Sequence, residues 1–259
     1  MRVRLTASLA FLAAAFAFCP HPGHAQQTLS ARMDRMAGPE TAAKGGGGGG
    51  SVGYAFQAAP AAAAGTASPQ TYNAVGIGTA AANRYVLICI ATSNNGYATA
   101  VTIGGVSATK AVETDDNNIG IAVELWYANV PTGTTATVKV TTLAPFPNSM
   151  IIATATINTA TPAPSSQAIQ PWGFRADPQI TSSAVTIPSN GVGVFCGAST
   201  KNAPTITYNT GTKDSNVSGP STTAWDLTMG HNATAGSWTP SYLGAGSSGT
   251  LAVAAAWGP

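Results

Sequence analysis

"YVLICIAT" (Tyr85–Thr92), "VTIGGVSATKAVE" (Val101–Glu113) and "IAVELWYANV" (Ile121–Val130) are the runs on which the fold of this chain turns. Tyr85–Ala91 is apolar almost without a break, rich in β-branched residues and too short for a typical globular helix. It predicts a strand covered on both faces. Asn94-Asn95-Gly96 tolerates positive φ and marks a tight reversal; Gly104-Gly105 marks another. Val101–Ile103 and Val106–Glu113 alternate, Asp115–Asn118 forms a polar tip, and Ile119–Val130 predicts a long strand that Pro131-Thr132-Gly133 stops. Turn signals every 8–12 residues or so between short strands are the pattern of an all-β sandwich or barrel.

Charged residues make up only 8% of the chain, against roughly 25% in an average soluble domain. From Thr66 onward there are six basic and seven acidic residues, so the overall charge of +2 comes from the N-terminal segment. No basic patch is left to neutralise phosphates, and nucleic acid is not an expected partner.

Met1–Ala25 has the layout of a secretory signal: Arg2 and Arg4, an apolar run over Leu5–Phe18, and the small-residue site Gly23-His24-Ala25. Export to the periplasm, the exterior or a particle surface is expected, without membrane insertion after cleavage. A start at Met33 or Met36 would instead describe a virion part assembled in the cytoplasm. Gln26–Ser68, with the six glycines Gly45–Gly50, reads as a flexible Gly/Ala-rich linker. Val52–Phe56 is a candidate extra strand within it. The folded domain is expected from Pro69 to Pro259, long enough for one large sandwich or two small packed ones. Thr134–Thr142 and Met150–Ile157 predict further strands, and Thr159–Ala176 reads as a long connection anchored by Trp172 and Phe174.

The second half echoes the first. "GVGVFCGASTKN" (Gly191–Asn202) follows "YVLICIATSNN", "TTAWDLTMGH" (Thr222–His231) follows "IAVELWYANV", and "GTLAVAAAWGP" follows "SMIIATATIN". An internal duplication, four or five strands to each half, stands beside the alternative that any two β-rich stretches align this loosely.

Cys89 and Cys196, the cysteines left once the signal is removed, lie in strands at matching positions. They read as two small buried hydrophobes, the favoured reading, or as a disulfide stapling the sandwich. His231 with two strand cysteines lacks zinc-ligand spacing. A catalytic pairing of His231 with Asp226 is not expected, because the two lie five residues apart on opposite faces of one strand. Glu124 and Asp226 occupy matching positions in the two halves. A converging acid pair for glycoside hydrolysis is conceivable there, but two solvated side chains on exposed faces are favoured. Asp115 and Asp116, followed by two asparagines, offer oxygen ligands to a cation without the regular calcium-loop spacing. Trp172 and Trp238, in loop-like contexts, are the candidates for stacking on a sugar. No cofactor is expected.

The series "VTIGGVSATK … AVELWYANVPTGTTATVKVT" resembles a β-sandwich domain that recurs in bacteriophage and prophage structural proteins. The resemblance covers Val101–Val140 best and Pro204–Asn209 and Gly249–Trp257 more loosely. It implies a tail-fibre, head-decoration or similar role rather than catalysis, and it carries no functional residues with it. The expectation is therefore an antiparallel β-sandwich, jelly-roll-like or immunoglobulin-like, serving as a non-enzymatic structural or adhesion protein. Its partners would be other copies of itself or other virion or surface proteins. A secreted carbohydrate-binding module, with glycans as partners, is the alternative.

Overall fold

The computed structural model describes residues 50–60, 63–64, 68–93, 96–116, 121–143, 149–173, 179–199, 206–208, 210–219, 226–244 and 250–259. The signal-like segment, most of the Gly-rich stretch and the Asn94-Asn95 reversal lie outside them. The first half runs β1 (Gly53–Ala58), β2 (Ala63–Ala64), β3 (Gln70–Gly76), β4 (Arg84–Ser93), β5 (Ala98–Ile103), β6 (Val106–Ser107), β7 (Thr109–Asp116), β8 (Ile121–Asn129), β9 (Thr135–Thr142) and β10 (Ser149–Asn158). The second runs β11 (Ser166–Gly173), β12 (Gln179–Thr181), β13 (Val185–Ile187), β14 (Val192–Ser199), β15 (Ile206–Tyr208), β16 (Thr212–Ser218), β17 (Asp226–Asn232), β18 (Gly236–Trp238), β19 (Ser241–Gly244) and β20 (Thr250–Trp257). The fold is all-β and antiparallel throughout.

Each half is a sandwich of an inner and an outer sheet. The first inner sheet has the order β1-β10-β4-β8-β7, with β2 also on β10; the second has β11-β20-β14-β17-β16. The two orders correspond strand for strand, so the halves share one topology. The outer sheet of the first half is β3-β9-β5-β6; its counterpart in the second half is divided into β12-β19-β15 and β13-β18.

Alternation along the inner strands decides which core each residue enters. On β4, Leu87, Cys89 and Ala91 join a central core with Val192, Val194, Cys196 and Ala198 of β14 and Leu251, Val253, Ala255 and Trp257 of β20. The intervening Val86, Ile88 and Ile90 pack outward against Ile103, Val138 and Val140 of the first outer sheet. In the second half, Ala252, Ala254 and Ala256 leave room for Phe195, Ile187 and Trp238. The central strands of the inner sheets, β4, β10, β14 and β20, are thus buried on both faces, which is why their sequences read as nearly continuous apolar runs.

Three expectations change. Gly53–Ala58 is a strand on the edge of β10, so the fold begins before Pro69, as the pattern of Val52–Phe56 hints. Ser166–Gly173, read as connection, pairs with β20 as an edge strand; its Gln and Pro residues sit where fewer ladder bonds are required. The matching of Glu124 to Asp226 is out of step. Cys89 is paired with Leu125 and Cys196 with Met229, which puts Thr228, two residues along, in the place of Glu124.

Candidate functional site

Cys89 and Cys196 face each other across the central core, with Cα atoms 5.9 Å and sulfurs 2.19 Å apart, and form a disulfide. Both are fully buried. Sequence alternation places each cysteine on a face of its own strand, but only the packing of one inner sheet on the other points the two faces together. The bond links the halves at equivalent positions, against the favoured reading of two separate thiols.

His231 pairs with an acid other than the one near it in sequence. Its Nδ1 lies 2.9 and 3.0 Å from the two carboxylate oxygens of Asp214, on the neighbouring β16. The Tyr54 hydroxyl donates to Asp214 Oδ2 at 2.6 Å, and the Tyr54 ring stacks on the imidazole with centroids 4.1 Å apart. Tyr54 belongs to β1 of the first half, so this trio clasps the edge of one inner sheet to the other. Val52 N–H adds a bond to the Asn190 carbonyl at 2.8 Å. The cluster's chemistry is that of an oriented imidazole. Among the described residues it brings no serine or cysteine into hydrogen bond with His231.

Glu124 and Asp226 neither converge nor face solvent. Both are fully buried. Each points into its own sandwich, because Leu125, Leu227 and Met229 take the central face of the same strands. Glu124 accepts from the Ala98 N–H at 2.5 Å and from Trp126 Nε1–H at 2.6 Å, with Lys110 Nζ at 3.5 Å. Lys110 also pairs with Glu113 and lies 4.9 Å from the centroid of the Trp126 ring. Burial raises the Glu124 carboxyl from 4.5 to about 6, against the opposing pull of Lys110 and the two donors. An acid raised on folding holds an extra proton in the folded state between pH 4.5 and about 6. Its contribution is therefore complete below that window and is lost as pH rises through it. The unfolding free energy should fall by about 2 kcal/mol from this residue across the window. Urea titrations at pH 4.5 and pH 7 check this, and Glu124→Gln should remove that part of the slope.

Trp238 is buried, 3% exposed, in the second outer core. A Cβ on Gly193 would come within 2.5 Å of its ring, and its Nε1–H reaches Thr210 Oγ1 at 3.1 Å. It is a core residue and offers no open face to a sugar, because the short β18 turns it inward over a glycine that sequence inspection passes over. Trp172 lies on β11, and its side chain is outside the described residues. Asp115 is exposed near the end of β7, while the Asp116 side chain and Asn117–Asn118 lie outside the described residues. Among the described residues no three His, Cys, Asp or Glu side chains come together as a metal site.

A shallow concavity of about 560 Å³ lies on the solvent face of the first outer sheet, lined by Thr71, Asn73, Thr102, Gly105, Thr137 and Lys139. Comparison with known proteins adds no name to these features. No family model, curated protein or solved structure matches the chain. The residues and their geometry therefore carry the functional reading.

Proposed function

We propose that the chain is a non-enzymatic structural or adhesion protein of phage-derived type, displayed on a particle or cell surface. The observation that carries this is the buried Cys89–Cys196 bond joining two like sandwiches through one core. A structural disulfide forms and persists in an oxidising compartment, which agrees with the signal-like Met1–Ala25. The resemblance of Val101–Val140 to phage structural domains supplies the class. A cross-linked, rigid body following a Gly-rich stretch suits presentation at a distance from an attachment point.

The test is intact mass and N-terminal sequencing of the protein from its native source, with and without reduction, together with antibody labelling of intact cells or particles. Export predicts a chain beginning at Gln26, a gain of two hydrogens on reduction, and surface labelling. A chain beginning at Met33 or Met36 with two free thiols would overturn export, and absence of surface label would overturn display.

A further inference from the structure

The concavity on the first outer sheet has a composition that points to a ligand. Strands β3, β5, β6 and β9 contain no aspartate or glutamate and one basic residue, Lys139. Lys139 is exposed at the middle of the sheet, with Thr71 of β3 and Thr102 of β5 as its ladder partners on either side. Thr137 lies two residues along β9 on the same face and reaches Asn73 Oδ1 at 3.5 Å. Among the described residues Lys139 has no carboxylate partner. The acids of this half, Glu113, Asp115, Asp116 and Glu124, all sit on the inner-sheet strands β7 and β8. The face is thus a cation set among hydroxyls and an amide, with no carboxylate on the four strands that form it.

The backbone shapes this face as well. β3 carries a bulge between Tyr72 and Val75, and within it Ala74 adopts φ 52°. A non-glycine residue in that region is strained and is held there by its surroundings. β5 has a second register shift, between Ala98 and Ala100. Bulges add local twist and re-aim side chains; here they flank the ladder that bears Lys139. On the rim, Gly105 has φ 84°, and a Cβ there would meet nothing within 4 Å, so the turn is open to solvent.

From these features, the geometry points to a binding site for a carboxylated saccharide on the solvent face of the first outer sheet, with Lys139 as the carboxylate anchor. Threonine hydroxyls and an asparagine amide both donate and accept, as sugar hydroxyls do. A lysine ammonium adds a charge-assisted bond to a carboxylate. The lining contains no aromatic ring, so the sugar is held by its polar edges rather than by stacking. The inference is independent of display: a secreted, undisplayed protein would carry the same site.

The test uses the full chain in saturation-transfer NMR and titration with four probes: a sialylated trisaccharide, a galacturonate trisaccharide and the neutral counterpart of each. Binding of at least one acidic sugar about tenfold or more tighter than its neutral counterpart is expected. Lys139→Gln should remove that preference and its salt dependence, and Thr102→Val should weaken binding several-fold. Lys139 is exposed and Thr102 half-buried, and valine keeps the β-branched shape of threonine, so Tm should change little. A response to the sialylated probe alone identifies a host-type glycan, and one to the galacturonate alone an acidic polysaccharide. The site is overturned if neither acid binds at millimolar concentration, if acidic and neutral sugars bind alike, or if Lys139→Gln binds as tightly as wild type. Displacement of a bound sugar by an acidic peptide of equal charge and concentration would also overturn it in favour of a protein partner.

Discussion

Replacing Cys89 and Cys196 by alanine should lower the unfolding free energy by about 3–5 kcal/mol. The bond closes a separation of 107 residues, and a cross-link of that span removes much of the freedom of the unfolded chain. It also joins the two halves, so its loss is felt by both. The single variants Cys89→Ala and Cys196→Ala should each lose nearly as much as the double variant, because either one abolishes the same bond. Two independent packing losses would instead add. Urea unfolding of the four proteins without reductant separates the cases. The same titration of wild type with reductant present should reproduce the double variant to within the small packing loss at each alanine. Both sulfurs are fully buried, so reduction should wait on opening of the central core.

Arg84→Ala should cost a comparable amount, about 4 kcal/mol. This arginine, 1% exposed at the start of β4, spends all its bonds on main-chain carbonyls. Nε–H donates to Val130 O at 2.8 Å, Nη1 to Gly78 O at 2.7 Å and Gly133 O at 3.0 Å, and Nη2 to Val130 O at 2.5 Å and Thr132 O at 2.7 Å. Burial lowers its pKa from the usual value, and the charge is held by dipoles rather than by an acid. Removing it leaves the buried Val130 carbonyl unmet, at about 1–3 kcal/mol, and takes the donor from the part-buried carbonyls of Gly78, Thr132 and Gly133 together with the packing of the side chain. A domain with a total stability of about 5–15 kcal/mol has little margin for that. Arg84→Lys keeps the charge but loses the planar fork, and should show an intermediate loss of about 2 kcal/mol. Thermal or urea unfolding of the two variants gives the order. An alanine variant as stable as wild type would show that the carbonyls find other partners.

Arg84 also shows where sequence reading stops. It registers in the chain as one of six scattered basic residues, and nothing local says that Gly78 and the Val130–Gly133 turn fold around it. The turn itself was legible, since Pro131 and Gly133 stop β8 through their own backbone preferences. Gly104 and Gly105, with φ 59° and 84°, were legible for the same reason. Trp238 was not. An aromatic beside Pro, Thr and Ser looks like loop, and its burial depends on Gly193, which lies far from it in sequence and comes close only when the second outer sheet closes over β14. Glu124 was misplaced because alternation gives the face of a residue but not whether another sheet covers that face.

Sequence alone determined much of what arises within a few residues of chain: the central strands and their alternation, the turns at Gly104-Gly105 and Pro131–Gly133, and the all-β class. The echo between halves was one of two readings, and the matching strand orders agree with it. Those features follow from backbone sterics and from which side chains avoid water, and both act locally. Only the tertiary structure decided which faces meet. It turned Cys89 toward Cys196 and set Tyr54 on His231. It gave His231 the carboxylate of Asp214 on the next strand in place of nearby Asp226, and among the described residues it set no acid against Lys139. Each of these joins residues distant along the chain or on separate strands. Such pairings are selected by the packing of whole sheets, and no short stretch of sequence contains the partner.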